Sequence, residues 1–343
     1  MREKLAFGKC SAGFGLVEIL IAMVLGLILT IGMSNVFLSS KQAYRTQSAL
    51  SVVQENGRYA IETLSRDIRM AGYQGCSSLD IVTPNIIAQN VPGTGSYSAN
   101  AAIRGYAFSG NKFYSASGGS TSDKYGDTGS TDDDPPESGV IVDGTDVITV
   151  ARADDCGAYL VGNMLTDNAN IQINADNTCT FDQNDLVLIS DCSSSDLFQI
   201  TNNPIGSGKI TMAHAKGANI TNRLSKPYGE DALIFKFVYS DYYIKLNGFG
   251  ERALYRRDWV KGAYVENELV EGVENLQVLY GEDTTDDFST DDYYQENAVT
   301  DWAKVNSVRF ILTLVSKAAN ITIDGDRMRQ NMATTVGVRN KLQ

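Results

Sequence analysis

The sequence predicts an α+β fold in which one long N-terminal helix packs on an antiparallel β-sheet domain. An apolar run near the N-terminus continues into a segment whose hydrophobic positions recur every three or four residues. Short runs rich in β-branched and aromatic residues dominate the chain after about residue 145. A helix followed by strands with short connections is the order typical of an α+β domain, whose sheet covers the apolar face of the helix.

The apolar run at 14–38 predicts a transmembrane helix segment. It exceeds the roughly 20 residues that a bilayer requires, contains no proline, and carries Glu18 as its only charge. Arg2, Lys4 and Lys9 precede it. Because positive residues tend to remain on the cytoplasmic side, we expect a single-pass topology with the N-terminus inside the cell and most of the chain outside.

Residues 39–75 predict an amphipathic continuation of this helix. Gly57 indicates either a bend or a close packing contact, and Gly72 and Gly75 are expected to end the helix. The apolar stripe comprises Leu50, Val53, Gly57, Ile61, Leu64, Ile68 and Ala71. The charged residues expected on the other faces are Arg45, Glu55, Arg58, Glu62, Arg66 and Arg69.

The remainder, 76–343, predicts a β-rich periplasmic or extracellular domain. Its segment 84–139 is rich in Gly, Ser and Asp and is expected to be a long surface loop with short strands at most. The strands are expected at Asp146–Ala153, Asp185–Ser190, Leu197–Thr201, Leu233–Tyr239, Tyr242–Leu246, Arg252–Trp259, Val273–Tyr280, Val305–Val315 and Thr334–Val338.

Glu18 has two interpretations when the carboxylate is considered alone. It lies at the headgroup level as an acid favoured by the helix N-terminus, or it has a charged partner inside the membrane. A carboxylate at the centre of a bilayer costs about 2.5–3.5 kcal/mol, and less near the interface, so intramembrane acids normally have partners.

The residues around Glu18 favour the second interpretation. A short basic leader followed by Gly13-Phe14-Gly15-Leu16-Val17-Glu18 resembles the signal of type IV prepilins and type II secretion pseudopilins. The resemblance implies that a prepilin peptidase removes residues 1–13 after Gly13 and that the new terminal residue, Phe14, is methylated. Glu18 would then pair with the terminal amine of a neighbouring subunit. Gly15 departs from the Thr or Ser often found there. An ordinary signal peptide would need an Ala-x-Ala-like site after the run, and none follows it.

Further segments resemble the PilW family of minor pilins, which is related to pseudopilin J. The resemblance covers most of the chain, but the segment at 84–139 matches no pattern of the family, which makes it a candidate for contacts specific to this protein. The similar segments are Gln54–Cys76, Leu186–Thr201, Ala253–Arg257, Leu269–Gly281, Trp302–Leu314 and Val338–Asn340.

Four of the five cysteines remain after the leader, which contains Cys10, is removed. Cys76, Cys156, Cys179 and Cys192 would lie on the oxidising side of the membrane, so two disulfides are expected, with three connectivities open. Cys179–Cys192 is favoured as a local bond and Cys76–Cys156 as the longer one. Zinc is the weaker alternative, because the spacings are not those of a zinc site and the chain has one histidine.

No catalytic constellation is present, so the sequence predicts no enzyme, no catalytic residue and no cofactor. His214, the only histidine, has no nucleophile motif beside it and is interpreted as a surface or turn residue. No phosphate-binding loop occurs. The net charge of −12 argues against nucleic-acid binding, which relies on basic residues.

Three charged clusters allow a binding interpretation, although a structural one is preferred for each. The acidic clusters Asp123–Glu137 and Glu282–Asp292 lack full EF-hand spacing and are interpreted as solvated loops, without a metal site. The alternatives are that the acidic clusters hold calcium and that a basic cluster contacts an acidic partner. The basic cluster is interpreted instead as the polar face of a strand, and it comprises Arg252, Arg256, Arg257 and Lys261.

The resemblance implies a minor pilin that helps to initiate and assemble a type IV pilus within a tip-located priming complex. Implied partners are other minor pilins, the major pilin, the assembly platform and a tip adhesin, with the prepilin peptidase as processing enzyme. The chain would lie in the bacterial inner membrane and then in the extracellular pilus. The alternatives are a pseudopilin J-like component of type II secretion and an adhesion or DNA-uptake module carried by the pilus.

Overall fold

The computed structural model describes residues 15–75, 82–92, 102–109, 112–114, 141–206, 208–319, 321 and 325–341. The chain divides into two compact units. One comprises Met1–Ser51 with Ala318–Met328, and the other comprises Val52–Lys317 with Arg329–Gln343. The predicted leader, with Gly13, and also Phe14 and Cys76, lie outside the described residues.

Most of the described part of the first unit is helical. Helix α1, Leu16–Arg69, begins in this unit, and its residues up to Ser51 belong to it. Near the end of this part of α1, Gln42 Nε2 and Thr46 Oγ1 donate hydrogen bonds to the Ile321 carbonyl, at 2.9 Å and 3.3 Å respectively. The predicted long apolar helix is therefore confirmed.

The second unit contains the remainder of α1, which buries one face. The buried residues include Val53, Leu64 and Ile68 of the predicted stripe, and every charged residue predicted on the other faces is exposed. After Arg69 the chain turns at Gly72, whose φ is +71° and whose N–H donates to the Ala151 carbonyl at 2.9 Å. Glycine adopts this left-handed conformation without steric cost, so Gly72 ends the helix as expected.

Gly57 resolves the alternative left open by the sequence. A Cβ at this position would collide with Sδ of Met332 and lie 3.2 Å from Cδ1 of Leu314. The helix continues through Gly57 without interruption. The glycine therefore marks a close packing contact between helix and sheet.

The larger of the two main sheets has nine strands in the described part of the chain. Seven follow the order β1-β7-β6-β9-β4-β2-β3, and β10 pairs with both β9 and β11. All pairs are antiparallel except β1 with β7. These strands are β1 (Asn85–Ile86), β2 (Ile103–Ser109), β3 (Lys112–Tyr114), β4 (Thr145–Tyr159), β6 (Leu186–Ser190), β7 (Ser195–Gln199), β9 (Leu233–Leu246), β10 (Arg252–Val260) and β11 (Ala263–Glu271).

A smaller antiparallel sheet has the order β13-β12-β14-β15, and β5 pairs with β8 separately. One core joins helix residues such as Leu64 to Ile148 of the larger sheet and Leu312 of the smaller. The sheets thus pack with the helix as the α+β prediction requires. The remaining strands are β5 (Ile171–Asn174), β8 (Lys209–Met212), β12 (Val273–Glu282), β13 (Asp292–Tyr294), β14 (Val305–Val315) and β15 (Arg329–Gly337).

Candidate functional site

Glu18 lies in the first turn of α1, where its N–H donates to the Gly15 carbonyl at 2.9 Å. The residue is exposed, and no cation in the described residues lies within ion-pair distance of its carboxylate. Gly13 and Phe14 lie outside the described residues. The structure therefore places Glu18, exposed, at the start of the apolar helix.

The helix around Glu18 presents apolar side chains to its surroundings. Long apolar side chains from Leu16 to Leu38 are exposed in this chain, and α1 is long and apolar enough to cross a membrane. Exposed apolar surface on this scale marks contact with lipid or with other proteins. This segment can therefore hold the chain in a bilayer.

A second carboxylate of α1, Asp67, is buried in the second unit and was not singled out in the sequence. Its carboxylate lies 3.3 Å from Arg152 and 3.6 Å from Arg256, and it accepts a hydrogen bond from the Tyr242 hydroxyl at 2.5 Å. Burial, followed by the charge of Asp67, raises the pKa of Tyr242 beyond its ordinary range. These contacts join the helix to β4, β9 and β10.

The basic cluster is engaged within the chain. Arg257 is buried and donates to Asp241 at 2.6 Å through Nη2, and Lys261 lies 2.8 Å from Asp182. Arg252 donates to the Glu274 carbonyl at 3.1 Å. Together with the Asp67 contact of Arg256, these pairs support the structural interpretation of the cluster.

The acidic segment Glu282–Asp292 is more ordered than the solvated loop expected. Glu282 is buried and accepts hydrogen bonds from the backbone N–H groups of Thr300 at 3.1 Å and Asp301 at 2.8 Å. Asp283 is also buried. The expectation was therefore wrong for these two carboxylates. Asp123–Glu137 lies outside the described residues, and in the part described no group of metal-ligating side chains could hold an ion.

The cysteine pairing favoured from the sequence is wrong. Cys156 is bonded to Cys179, with their Cα atoms 5.2 Å apart. Both residues pack against one apolar core cluster, beside the β5–β8 pair, and this proximity decides the pairing. Cys192 is also disulfide-bonded, to a partner other than these two.

His214 is buried, which corrects its interpretation as a surface residue. It is 3 % exposed, its Nε2 lies 3.1 Å from the Ala169 carbonyl, and its ring packs 5.6 Å from that of Phe198.

A buried carboxyl, Asp146 on β4, joins the two sheets. It accepts a hydrogen bond from the Val278 N–H of β12 at 2.7 Å. Burial raises the pKa of Asp146 to about 7, although the Val278 N–H opposes the shift and Glu296 adds to it. The nearby Tyr280 hydroxyl is buried, and burial raises its pKa well above the ordinary value. No pattern in the sequence indicates this cluster, because its members lie far apart along the chain.

These observations define a class of protein: a pilin-like protein with an N-terminal apolar helix and a mostly antiparallel β-sheet domain. Residues 8–34 match the family model described as Prokaryotic N-terminal methylation motif. This range includes Gly13, Phe14 and Glu18. The motif and the apolar helix support anchoring in the inner membrane and association with a pilus.

Within that class, residues 241–322 match the model described as Type IV Pilus-assembly protein W. The resemblance to PilW-type proteins is therefore confirmed, and these two regions match models of proteins related to the type IV pilus. The two matches support interaction with other pilins and processing by a peptidase, and they point to a structural protein and not to an enzyme. Neither a curated protein nor a solved structure matches the chain.

Proposed function

We propose that this chain is a minor pilin that takes part in initiating and assembling the type IV pilus within a tip-located priming complex. The observation that carries the proposal is the placement of Glu18, exposed at the start of an apolar helix within the range matched by the methylation motif. The peptidase removes the leader after Gly13, and Phe14 becomes the methylated terminal residue. The platform machinery then moves the subunit into a helical bundle of pilins.

In this proposal Glu18 selects a neighbour by charge. A cationic terminal amine and an anionic carboxylate are each unfavourable in lipid, and each compensates the other when they come together. No cation of the described residues competes for the Glu18 carboxylate. Another minor pilin, the major pilin or both provide the amine.

The topology is also part of the proposal. Arg2, Lys4 and Lys9 remain in the cytoplasm, and the β domain lies in the periplasm before it enters the extracellular pilus. The Cys156–Cys179 disulfide supports this orientation, because such bonds persist in oxidising compartments.

Replacement of Glu18 by alanine tests the proposal. We expect Glu18→Ala to reduce surface pili and recovery of other minor pilins by about tenfold, the factor that 1.4 kcal/mol produces. Glu55→Ala is the matched control, because Glu55 is exposed on the same helix but outside the apolar run. Pilus counts are measured by electron microscopy, and co-purification is measured by immunoblot. Equal results for the two variants would remove the assembly role of Glu18.

The match at 241–322 favours the pilus over the secretion alternative. The adhesion or DNA-uptake alternative requires a test that leaves the sheet intact. Strand β2 lies within 84–139, exceeds the short strands expected there, and pairs with β4. A deletion of 115–140 spares β2, and the alternative predicts loss of binding with normal pilus numbers.

A further inference from the structure

Strand β15 forms one edge of the smaller sheet. It pairs with β14 along its whole length, from Ser307 opposite Gly337 to Val315 opposite Arg329. In the part of the chain that the structure describes, it has no second strand neighbour. One side of its backbone is therefore open to pairing.

The register identifies the backbone groups on the open side. The Val338 N–H donates to the Asn306 carbonyl, directly opposite in the same register, at 2.8 Å. Because antiparallel pairs alternate between bonded and non-bonded, every second residue of β15 bonds to β14. The residues bonded to β14 are Gln330, Met332, Thr334 and Val336. Those whose N–H and C=O point away from β14 are Asn331, Ala333 and Thr335.

The other edges in the described chain carry features that discourage pairing with another chain, and β15 does not. Edge strands β1, β3 and β13 have two or three residues each, and β5 and β8, which pair only with each other, have four each. The longer edge β11 carries Glu266, Glu268 and Glu271. Short length and charge are the usual protections of an edge strand. In contrast, β15 has nine residues and no charge after Arg329.

We propose that an extended segment of a different subunit of the pilus assembly adds to the sheet along β15. Backbone donors and acceptors that alternate along an edge are matched by another extended backbone, and this is how strand addition gains affinity. The inference deepens the proposed function and rests on it, since it assigns a surface by which the minor pilin contacts a neighbour.

The two faces of β15 define the chemistry of the added segment. Met332 packs against the core and Val336 is buried, so the added strand places apolar residues beside them. On the opposite face, Asn331, Ala333 and Thr335 are exposed and uncharged. The partner is thus a segment with alternating apolar and small polar residues and few charges.

Proline at Ala333 tests the edge with little effect on the existing ladder. The N–H of Ala333 points away from β14, so Ala333→Pro removes an outward donor, whereas Ala333→Ser retains it. Ala333→Glu is the second blocking variant, because a charge on the exposed face discourages strand addition without restricting the backbone. We expect both blocking variants to reduce incorporation into sheared pili about tenfold or more, corresponding to about 1.4 kcal/mol. The serine variant should incorporate normally, and thermal unfolding identifies a variant that has lost its fold.

Amide hydrogen exchange supplies the direct measurement. The full chain purified in detergent is compared with the tagged chain in complexes isolated from cells. We expect the amides of Asn331, Ala333 and Thr335 to exchange rapidly in detergent and to be protected in the complexes, whereas those of Met332 and Thr334 are protected in both.

The outcomes separate this inference from the proposed function. Rapid exchange of the outward amides in complexes that contain pilins would overturn strand addition alone. Protected amides in complexes without pilus proteins would overturn the pilus role and retain strand addition. Protection already present in detergent, together with a dimeric mass, would show that a second copy of this chain occupies the edge, and would also overturn the proposal. Normal incorporation of folded Ala333→Pro and Ala333→Glu chains would do the same.

Discussion

Two carboxylates of the same helix, Glu18 and Asp67, have opposite surroundings. Glu18 is exposed in an apolar segment, with no cation of the described residues near it. Asp67 is 3 % exposed and contacts Arg152, Arg256 and the Tyr242 hydroxyl. The sequence presents both as acids in a helix, but the described residues supply partners for only one.

Under the proposed function, this difference separates contacts that stabilise the fold from contacts made during assembly. An ion buried within a domain requires partners in the same chain, because desolvation without compensation costs several kcal/mol. Under the proposed function, the acid in the exposed apolar helix meets the same requirement when another subunit supplies its terminal amine. Perturbing each kind of residue should therefore change different observables.

The largest effect on stability is expected at Asp67. Asp67→Ala leaves Arg152 and Arg256 buried or half-buried with one carboxylate fewer, and breaking a buried pair costs about 3 kcal/mol or more. Each arginine retains a second partner, Asp154 or Asp258, so the lower end of that range is expected. Denaturant unfolding of the full chain in detergent measures the loss.

Glu62→Ala is the control for Asp67, since Glu62 is exposed on the same helix. We expect it to change the unfolding free energy by less than about 0.5 kcal/mol. Equal destabilisation by the two variants would show that the buried pairs do not stabilise the domain.

A smaller effect is expected from adding one methyl group at Gly105. A Cβ there would collide with the buried ring of Tyr280, and overpacking of this kind costs about 2 kcal/mol. At Gly57 the nearest atom belongs to the flexible end of Met332, and alanine gains about 1 kcal/mol of helix propensity. Gly57→Ala should therefore be close to neutral. Thermal unfolding compares the two variants. A larger loss of stability for the Gly57 variant than for the Gly105 variant would contradict this account.

Ionisation of Asp146 should give a different signature, a dependence of the unfolding free energy on pH. Its pKa is raised from 3.8 to about 7, so the folded chain retains a proton that the unfolded chain loses. Stability from this group is complete below pH 3.8 and decreases as pH rises to about 7, with a slope of at most about 1.4 kcal/mol per pH unit. The facing groups are the Val278 N–H, Glu296 and Tyr280.

Asp146→Asn isolates this contribution to pH dependence. The amide retains an oxygen that can accept a hydrogen bond from the Val278 N–H but does not titrate. The unfolding free energy of the variant should therefore lose the decrease between pH 4 and pH 7 that Asp146 contributes. Urea unfolding of both chains at several pH values measures this pH dependence. An unchanged slope would assign the pH dependence to other groups.

Patterns along the sequence predicted the elements whose contacts are apolar. The strand Val305–Val315 has the expected bounds, since its residues are almost continuously apolar or β-branched. In contrast, β9 was expected as two strands interrupted near Ser240 and Asp241, but it is one strand. Asp241 is buried within this strand, where it forms an ion pair with Arg257 and accepts a hydrogen bond from Thr149 Oγ1. No periodicity in the sequence shows that such partners exist.

Features that depend on distant partners were missed for the same reason. Strand β11 has an exposed, acidic sequence and was not expected, because its pairing with β10 and not its own hydrophobicity defines it. The Cys156–Cys179 bond follows from packing beside β5 and β8, which were also not predicted. The prediction for Glu18 depended on a local motif, so it required no knowledge of the tertiary fold.

The smallest effect on stability is expected from replacing Glu18, in contrast to the large effect expected from replacing Asp67. Glu18→Gln should leave the unfolding of the β domain unchanged to within about 0.5 kcal/mol, because no contact of the described chain depends on the carboxylate. Fluorescence of the buried Trp259 and Trp302 reports that unfolding in detergent. The same variant should reduce pilus incorporation, because glutamine carries no charge to compensate a neighbour's amine. If Glu18→Gln destabilised the domain as much as Asp67→Ala does, Glu18 would have an internal partner and the distinction between fold and assembly contacts would fail.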